Sequence, residues 1–318
     1  MVNANGQKRI LSLVLLAFVA VVWGVGFVLT DLLLSDGFAS APGLQNAMRF
    51  GIGTVLLLIL LWKDIKLSKK NILYGLIGGA LLFGGFMLQL IGQTYITPAH
   101  CGFFTALYFV MTPFITWIFY KKRPDFAVVI AVVLAVLGLA ILNIGHMPTK
   151  EETLGMILTI MGALMFATQI VFCDYLLAND KIKSNNLVVV QLVVASLLFV
   201  LYTLIFESKN YSTLSIQWDL AWWRLAIVSL IGTGFAYFAQ TYAQNHVAPA
   251  QTSLILACET PIGAFVSIIV GIDQFSWNII IGGLLIIGSI FVIEFLPLKP
   301  KKPKELQSNQ TESPTDNQ

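Results

Sequence analysis

The sequence predicts an all-α integral membrane protein of ten transmembrane helices arranged as two inverted five-helix repeats. Three observations carry this expectation. The chain of 318 residues is 57% hydrophobic and only 11% charged, with a mean hydropathy of +0.83, a balance suited to lipid and far from that of soluble domains. Apolar runs long enough to cross a bilayer recur with short polar or proline-containing breaks. The two halves of the chain also share an ordered set of residues, the mark of a duplication.

The first crossing is expected at 10–34. Lys8-Arg9 precede it and Ala39-Ser40-Ala41 has the small-x-small form of a cleavage site, but the run is longer than a signal h-region and contains Trp23, so it reads as a retained helix. Further crossings follow at 44–62, 71–96, 101–120 and 125–145, then at 154–177, 186–206, 222–245, 250–271 and 276–296. Thr97-Pro98 and Ala248-Pro249 split stretches otherwise too long for one crossing, because the residue before a proline leaves the helical region. The resulting organisation is a cytoplasmic N-terminus (1–9), a first five-helix repeat (10–145), an extracytoplasmic linker (146–153), a second repeat (154–296) and a disordered cytoplasmic tail (297–318).

Charge supports the parity of this count. With both termini cytoplasmic, Lys8, Arg9, Lys63, Lys66, Lys69 and Lys70 fall inside, as do Lys121–Arg123, Lys181, Lys183 and the four lysines of the tail. Lys150, Lys209 and Arg224 fall outside. That segregation is the positive-inside pattern of a protein of the cell membrane. Arg49 alone lies within a crossing. The net charge of +3 leaves no basic surface for nucleic acid once the loop lysines are assigned.

The repeat is visible residue by residue. At an offset of 143, Ala20 meets Ala163, Val28 meets Val171 and Asp31 meets Asp174; Gln93-Thr94-Tyr95 meets Gln240-Thr241-Tyr242 at 147, and Thr112-Pro113 meets Thr260-Pro261 at 148. Five crossings per copy is an odd number, so the second copy enters the membrane upside down, a layout typical of secondary transporters.

Polar side chains in lipid are costly and normally face a bundle interior or a wet cavity. On the fourth crossing Cys101, Thr105, Tyr108, Thr112 and Thr116 recur at helical spacing; on the eighth, Thr233, Tyr237, Gln240 and Gln244 do the same. Gly162, Phe166, Gln169 and Cys173 stripe the sixth, and Gly85, Gln89 and Gly92 the third. Any one stripe is equally served by interhelical packing; several together favour a cavity. They nominate Gln89, Tyr108, Met111 and Thr112 as substrate-binding residues, with Gln169, Tyr237 and Gln240 from the second half and Trp23 and Phe27 as aromatic surface.

Glu259 lies near the middle of the ninth crossing. An ionised carboxylate at that depth costs about 3 kcal/mol or more, so it must be paired, hydrated or protonated, which suits substrate binding or proton coupling. Arg49 serves either as a snorkelling anchor or as the partner of a substrate carboxylate or of Glu259. Pro113 and Pro261 each remove a helical hydrogen bond and are candidate hinges. Trp62, Trp117, Trp218, Trp222, Trp223 and Trp277 sit nearer span ends, as interfacial anchors do. Asp31, Asp174 and Glu294 lie close to boundaries and are expected to reach water. The three cysteines have no CxxC spacing, and His100, His146 and His246 have no metal-ligand spacing. No Walker loop or nucleophile elbow is present. No cofactor, metal or catalytic residue is therefore expected.

Trp23-Gly24 in the first crossing, Arg49-Phe50 in the second, Pro113 in the fourth and Glu259 with Pro261 in the ninth, set in a doubled five-helix layout over residues 10–296, resemble the EamA-type members of the drug/metabolite transporter superfamily. One departure is Thr260, which separates the glutamate from a proline that directly follows it in many members. The resemblance implies a central cavity bordered by helices 1, 3, 4, 6, 8 and 9. Helices 5 and 10 would serve as supports or as a contact with a second copy, and the activity would be export of amino acids, related metabolites or drugs. The expected function is thus a secondary transporter of small neutral or zwitterionic molecules working by alternating access, with Glu259 as the coupling candidate. A passive pore of the same architecture and an intramembrane enzyme acting on lipid-linked substrates are the competing classes.

Overall fold

In a computed structural model the residues described, which are 4–66, 68–121, 123–142, 144, 148–179 and 181–295, form helices joined by short turns and loops. His146 and the whole of the expected tail, its lysines included, lie outside them. The first five helices are α1 (Ala4–Ser35), α2 (Pro42–Leu61), α3 (Lys69–Gln93), α4 (Pro98–Ala106 and Tyr108–Tyr120) and α5 (Phe126–Leu142). The second five are α6 (Lys150–Ala178), α7 (Ser184–Tyr202), α8 (Trp218–Ala243), α9 (Pro249–Leu256 and Glu259–Val270) and α10 (Trp277–Phe295). Eight of these are long and apolar enough to cross a membrane, and α5 and α10 carry the shorter apolar stretches Phe126–Gly138 and Ile280–Ser289.

Local chemistry sets the helix starts. Pro42, Pro98 and Pro249 occupy first-turn positions, where a missing N–H is harmless. Helix α6 begins at Lys150, four residues before the expected boundary, because Thr149 and Glu152 close a reciprocal capping box. The buried Glu207 caps α2 from the other repeat, accepting from Gly43 N at 2.8 Å, Leu44 N at 2.9 Å and Thr203 Oγ1 at 2.8 Å.

The packing obeys an exchange rule. Helix α1 lies on α8 and α9, and α6 lies on α3 and α4; α2 packs on α8 as α3 packs on α7. The pairs α2 with α7, α4 with α9 and α5 with α10 are self-matched under the same exchange of the first five helices for the second five. A duplicated unit of odd crossing number produces this pattern when its copies face one another inverted. Close approach at the centre uses glycine: a Cβ at Gly24 would stand 2.8 Å from the Glu259 carbonyl oxygen, and one at Gly53 would stand 2.8 Å from the Ser229 carbonyl oxygen.

Three irregular segments interrupt the helices. Helix α4 breaks at Leu107, where Val110 N and Met111 N both bond the Leu107 carbonyl at 3.0 and 3.2 Å. Helix α9 breaks at Ala257–Cys258. The centre of α8, Ile227–Phe235, winds as a π-helix, a form that concentrates at functional sites. The Thr-Pro pairs do not mark equivalent points: Pro113 lies six residues beyond its break, and Pro261 lies three beyond Cys258.

The six expected anchor tryptophans are all well exposed or close to it. Asp174 corrects an expectation. It does not reach water but is 2% exposed and accepts the Tyr120 hydroxyl at 2.6 Å, since a carboxylate withdrawn from solvent needs a hydrogen-bond donor.

Candidate functional site

Where the broken helices cross, seven helices enclose a cavity of about 540 Å³, open solvent at its margin included. Helix α1 supplies Trp23, Phe27 and Thr30, spaced so that one face is presented. Helix α3 supplies Phe86, Gln89 and Gln93 in the same manner, and α4 supplies Thr105 and Tyr108 from either side of its break. From the second repeat come Phe166 and Gln169 on α6, Tyr237 and Gln240 on α8, and Glu259 on α9. Helix α2 contributes Arg49.

The aromatic groups form a connected wall. Phe86 stands edge-on to Phe50 at 4.9 Å and to Phe166 at 5.0 Å, and Tyr237 lies 5.4 Å from Trp23. Such contacts fix ring orientation as well as burying area. Trp23 donates its indole N–H to the Gly232 carbonyl at 2.8 Å, a carbonyl within the π segment of α8.

The same π segment orients Arg49. Its Nε donates to Thr233 Oγ1 at 2.8 Å, and its guanidinium carbon lies 4.7 Å from the Phe86 ring centroid. The residue is 6% exposed, and among the described residues it makes no ion pair. A held but uncompensated guanidinium offers its terminal nitrogens to a carboxylate, the geometry Arg serves best.

Glu259 is 2% exposed and begins the second half of α9. Carboxylates are favoured at such N-terminal positions. Its carboxyl faces the Tyr108 hydroxyl, and apart from each other Oε1 and that hydroxyl have no hydrogen-bond partner among the described residues. Tyr108 begins the second half of α4 as Glu259 begins that of α9, so the phenol and the carboxyl occupy matching places relative to the two breaks, three residues out of register with the Thr-Pro pairs. Thr260 does not separate the break from Glu259, which abuts it directly; the Thr260 hydroxyl donates to the Gly102 carbonyl at 3.0 Å and ties α9 to α4.

Of the residues nominated from sequence, Trp23, Phe27, Arg49, Gln89, Tyr108, Gln169, Tyr237, Gln240 and Glu259 border this one cavity. Met111 and Thr112 do not: Met111 packs on the main apolar core, and the Thr112 hydroxyl donates back to the Tyr108 carbonyl at 2.7 Å. An unbroken helical period would carry the stripe through them, and the break at Leu107 resets its phase. Thr30, Phe86 and Gln93 were missed although each lies one turn from a nominated residue on the same face. Among the described residues there is no cluster of three or more His, Cys, Asp or Glu side chains.

The profile of the EamA-like transporter family matches residues 10–144 and 153–295. The chain belongs to the EamA-like transporter family. This EamA protein is 26% identical over 295 residues to an uncharacterized transporter of Archaeoglobus fulgidus, covering 92% of this chain and 88% of the relative. It is 23% identical over 287 residues to the uncharacterized transporter YoaV of Bacillus subtilis, covering 87% and 94%. A solved structure titled only as the crystal structure of a protein superposes with a TM-score of 0.69 at 17% identity, over 89% of this chain and 96% of its own; that likeness establishes the fold. The EamA protein is accordingly a multi-pass membrane transporter.

Proposed function

We propose that this EamA protein is a secondary transporter of the cytoplasmic membrane, with both termini inside, that exports small zwitterionic or neutral metabolites such as amino acids by alternating access. The observation that carries the reading is the pairing of opposite charges on one aromatic cavity without an ion pair between them: Arg49 from one repeat and Glu259 from the other. A zwitterion satisfies both groups at once, whereas a highly anionic ligand would lack basic partners. Because the wall draws on both repeats, exchanging their conformations opens the site to the opposite face.

Glu259 is the proposed coupling group, since it can take up a proton when no cationic ligand is present. The test is uptake of labelled amino acids into proteoliposomes. Transport driven by an imposed pH gradient should accumulate substrate in the wild type and only equilibrate it in Glu259→Gln. An unchanged response to the gradient in that variant rejects the coupling role, and equilibration alone in the wild type assigns the protein to the passive class.

A further inference from the structure

Three of the four glutamines of the cavity place their amide nitrogen on a protein acceptor, and the fourth, Gln240, keeps an Oε1 without a hydrogen-bond partner among the described residues. Gln93 donates its amide nitrogen to the Phe27 carbonyl at 2.8 Å, Gln89 donates to Thr105 Oγ1 at 2.9 Å, and Gln169 donates to Gln191 Oε1 at 3.2 Å. A main-chain carbonyl only accepts, so the Gln93 amide has no alternative setting against Phe27. In all three the atom left without a protein partner among the described residues is the side-chain carbonyl oxygen. Glu259 adds a carboxylate with no basic partner among the described residues. The side of the cavity built by α3, α6 and α9 is therefore rich in acceptors, while the charged donor, Arg49, enters separately on α2.

We propose that this acceptor-rich wall selects ligands whose cationic end carries N–H hydrogens, such as primary or secondary ammonium, amidinium or guanidinium groups, over their fully N-methylated counterparts. The inference rests on the transporter reading above and specifies which cations the same site takes. A quaternary ammonium is attracted by the faces of Trp23 and Phe27 but donates no hydrogen bond. Seating it strips water from the glutamine oxygens and the carboxylate and replaces none of the lost bonds. Sites built to hydrogen-bond a ligand reject analogues that lack the donor far more strongly than apolar pockets reject a missing methylene.

The experiment titrates the purified, full-length wild type with matched pairs: L-alanine, L-phenylalanine and L-lysine, each against its Nα-trimethyl derivative. Binding is read by calorimetry and by ligand-induced thermal stabilisation. Every ligand that binds should do so at least about tenfold more tightly as the primary amine, and Gln89→Met, at a half-buried position, should narrow that ratio. Trimethyl forms that bind within threefold of their partners overturn the proposal, as does a panel in which no primary amine binds. If Gln89→Met fails to fold, the wild-type ratio decides alone. Counterflow in proteoliposomes separates the two readings. Selective binding without counterflow sinks the transporter mechanism and leaves the wall's preference standing, and equal counterflow of both forms does the reverse.

Discussion

Removing the hydroxyl of Thr233 should weaken binding of the ligand's anionic end without dismantling the bundle. Thr233 Oγ1 receives the Arg49 Nε proton at 2.8 Å, and the same hydroxyl donates to the Val228 carbonyl at 2.9 Å. A buried hydrogen bond to a charged donor contributes about 1.5–3 kcal/mol. In Thr233→Val the guanidinium keeps its contact with Phe86, worth about 1 kcal/mol, but loses the bond that fixes its rotation. If roughly half of the lost energy appears as misaligned ligand contacts, affinity for the carboxylate falls by about fourfold to tenfold. The assay compares a bound amino acid with its methyl ester by calorimetry in wild type, Thr233→Val and Thr233→Ser. Preference for the acid should collapse in Thr233→Val and stay within about twofold of wild type in Thr233→Ser, which retains the oxygen. An undiminished preference in Thr233→Val, or equal damage in both variants at unchanged melting temperature, refutes the argument.

Other perturbations have equally definite outcomes. Gly24→Ala places a methyl 2.8 Å from the Glu259 carbonyl oxygen and against Ile262, so it should lower stability by about 1–3 kcal/mol and depress transport; an unchanged thermal midpoint would show that α1 and α9 yield freely. Glu207→Ala removes two accepted hydrogen bonds at the start of α2 and one from Thr203 and should destabilise by about 1–3 kcal/mol, with Glu207→Gln intermediate, both read from denaturation in detergent. Tyr120→Phe deprives the buried Asp174 of a 2.6 Å donor and should cost about 1–3 kcal/mol; an unchanged thermal midpoint would refute a stabilising role for that bond. Cysteine labelling from each side of the membrane should find the two termini on one face, and opposite faces would break the five-and-five count.

The helices were legible because lipid imposes a length and a hydropathy that no tertiary context can override. Arg49 and Glu259 stood out for a related reason, since a charge at membrane depth demands an explanation. The parts that were not legible depend on where a helix stops being regular. Met111 and Thr112 fit the stripe of an ideal helix, and only the break at Leu107, six residues before the proline that announces a kink, removes them from the cavity. The role of Thr233 depends on the π winding of α8, which leaves no composition signature. Asp174 reads as a boundary residue until α4 brings Tyr120 to it from 54 positions away in sequence.

The matched places of Tyr108 and Glu259 have a consequence for energetics. A carrier descended from a duplicated gene begins with twin stations at its centre, and its two end states are then of equal energy by symmetry. Here one station bears a phenol and the other a carboxyl, so only the second half can hold a negative charge there. In the proposed cycle the inward and outward forms would be geometric images of each other, each meeting that charge with a different set of neighbours. On the proposed alternating-access reading, their populations in the empty protein should therefore differ, and a double exchange of the two side chains should shift the balance towards the other form.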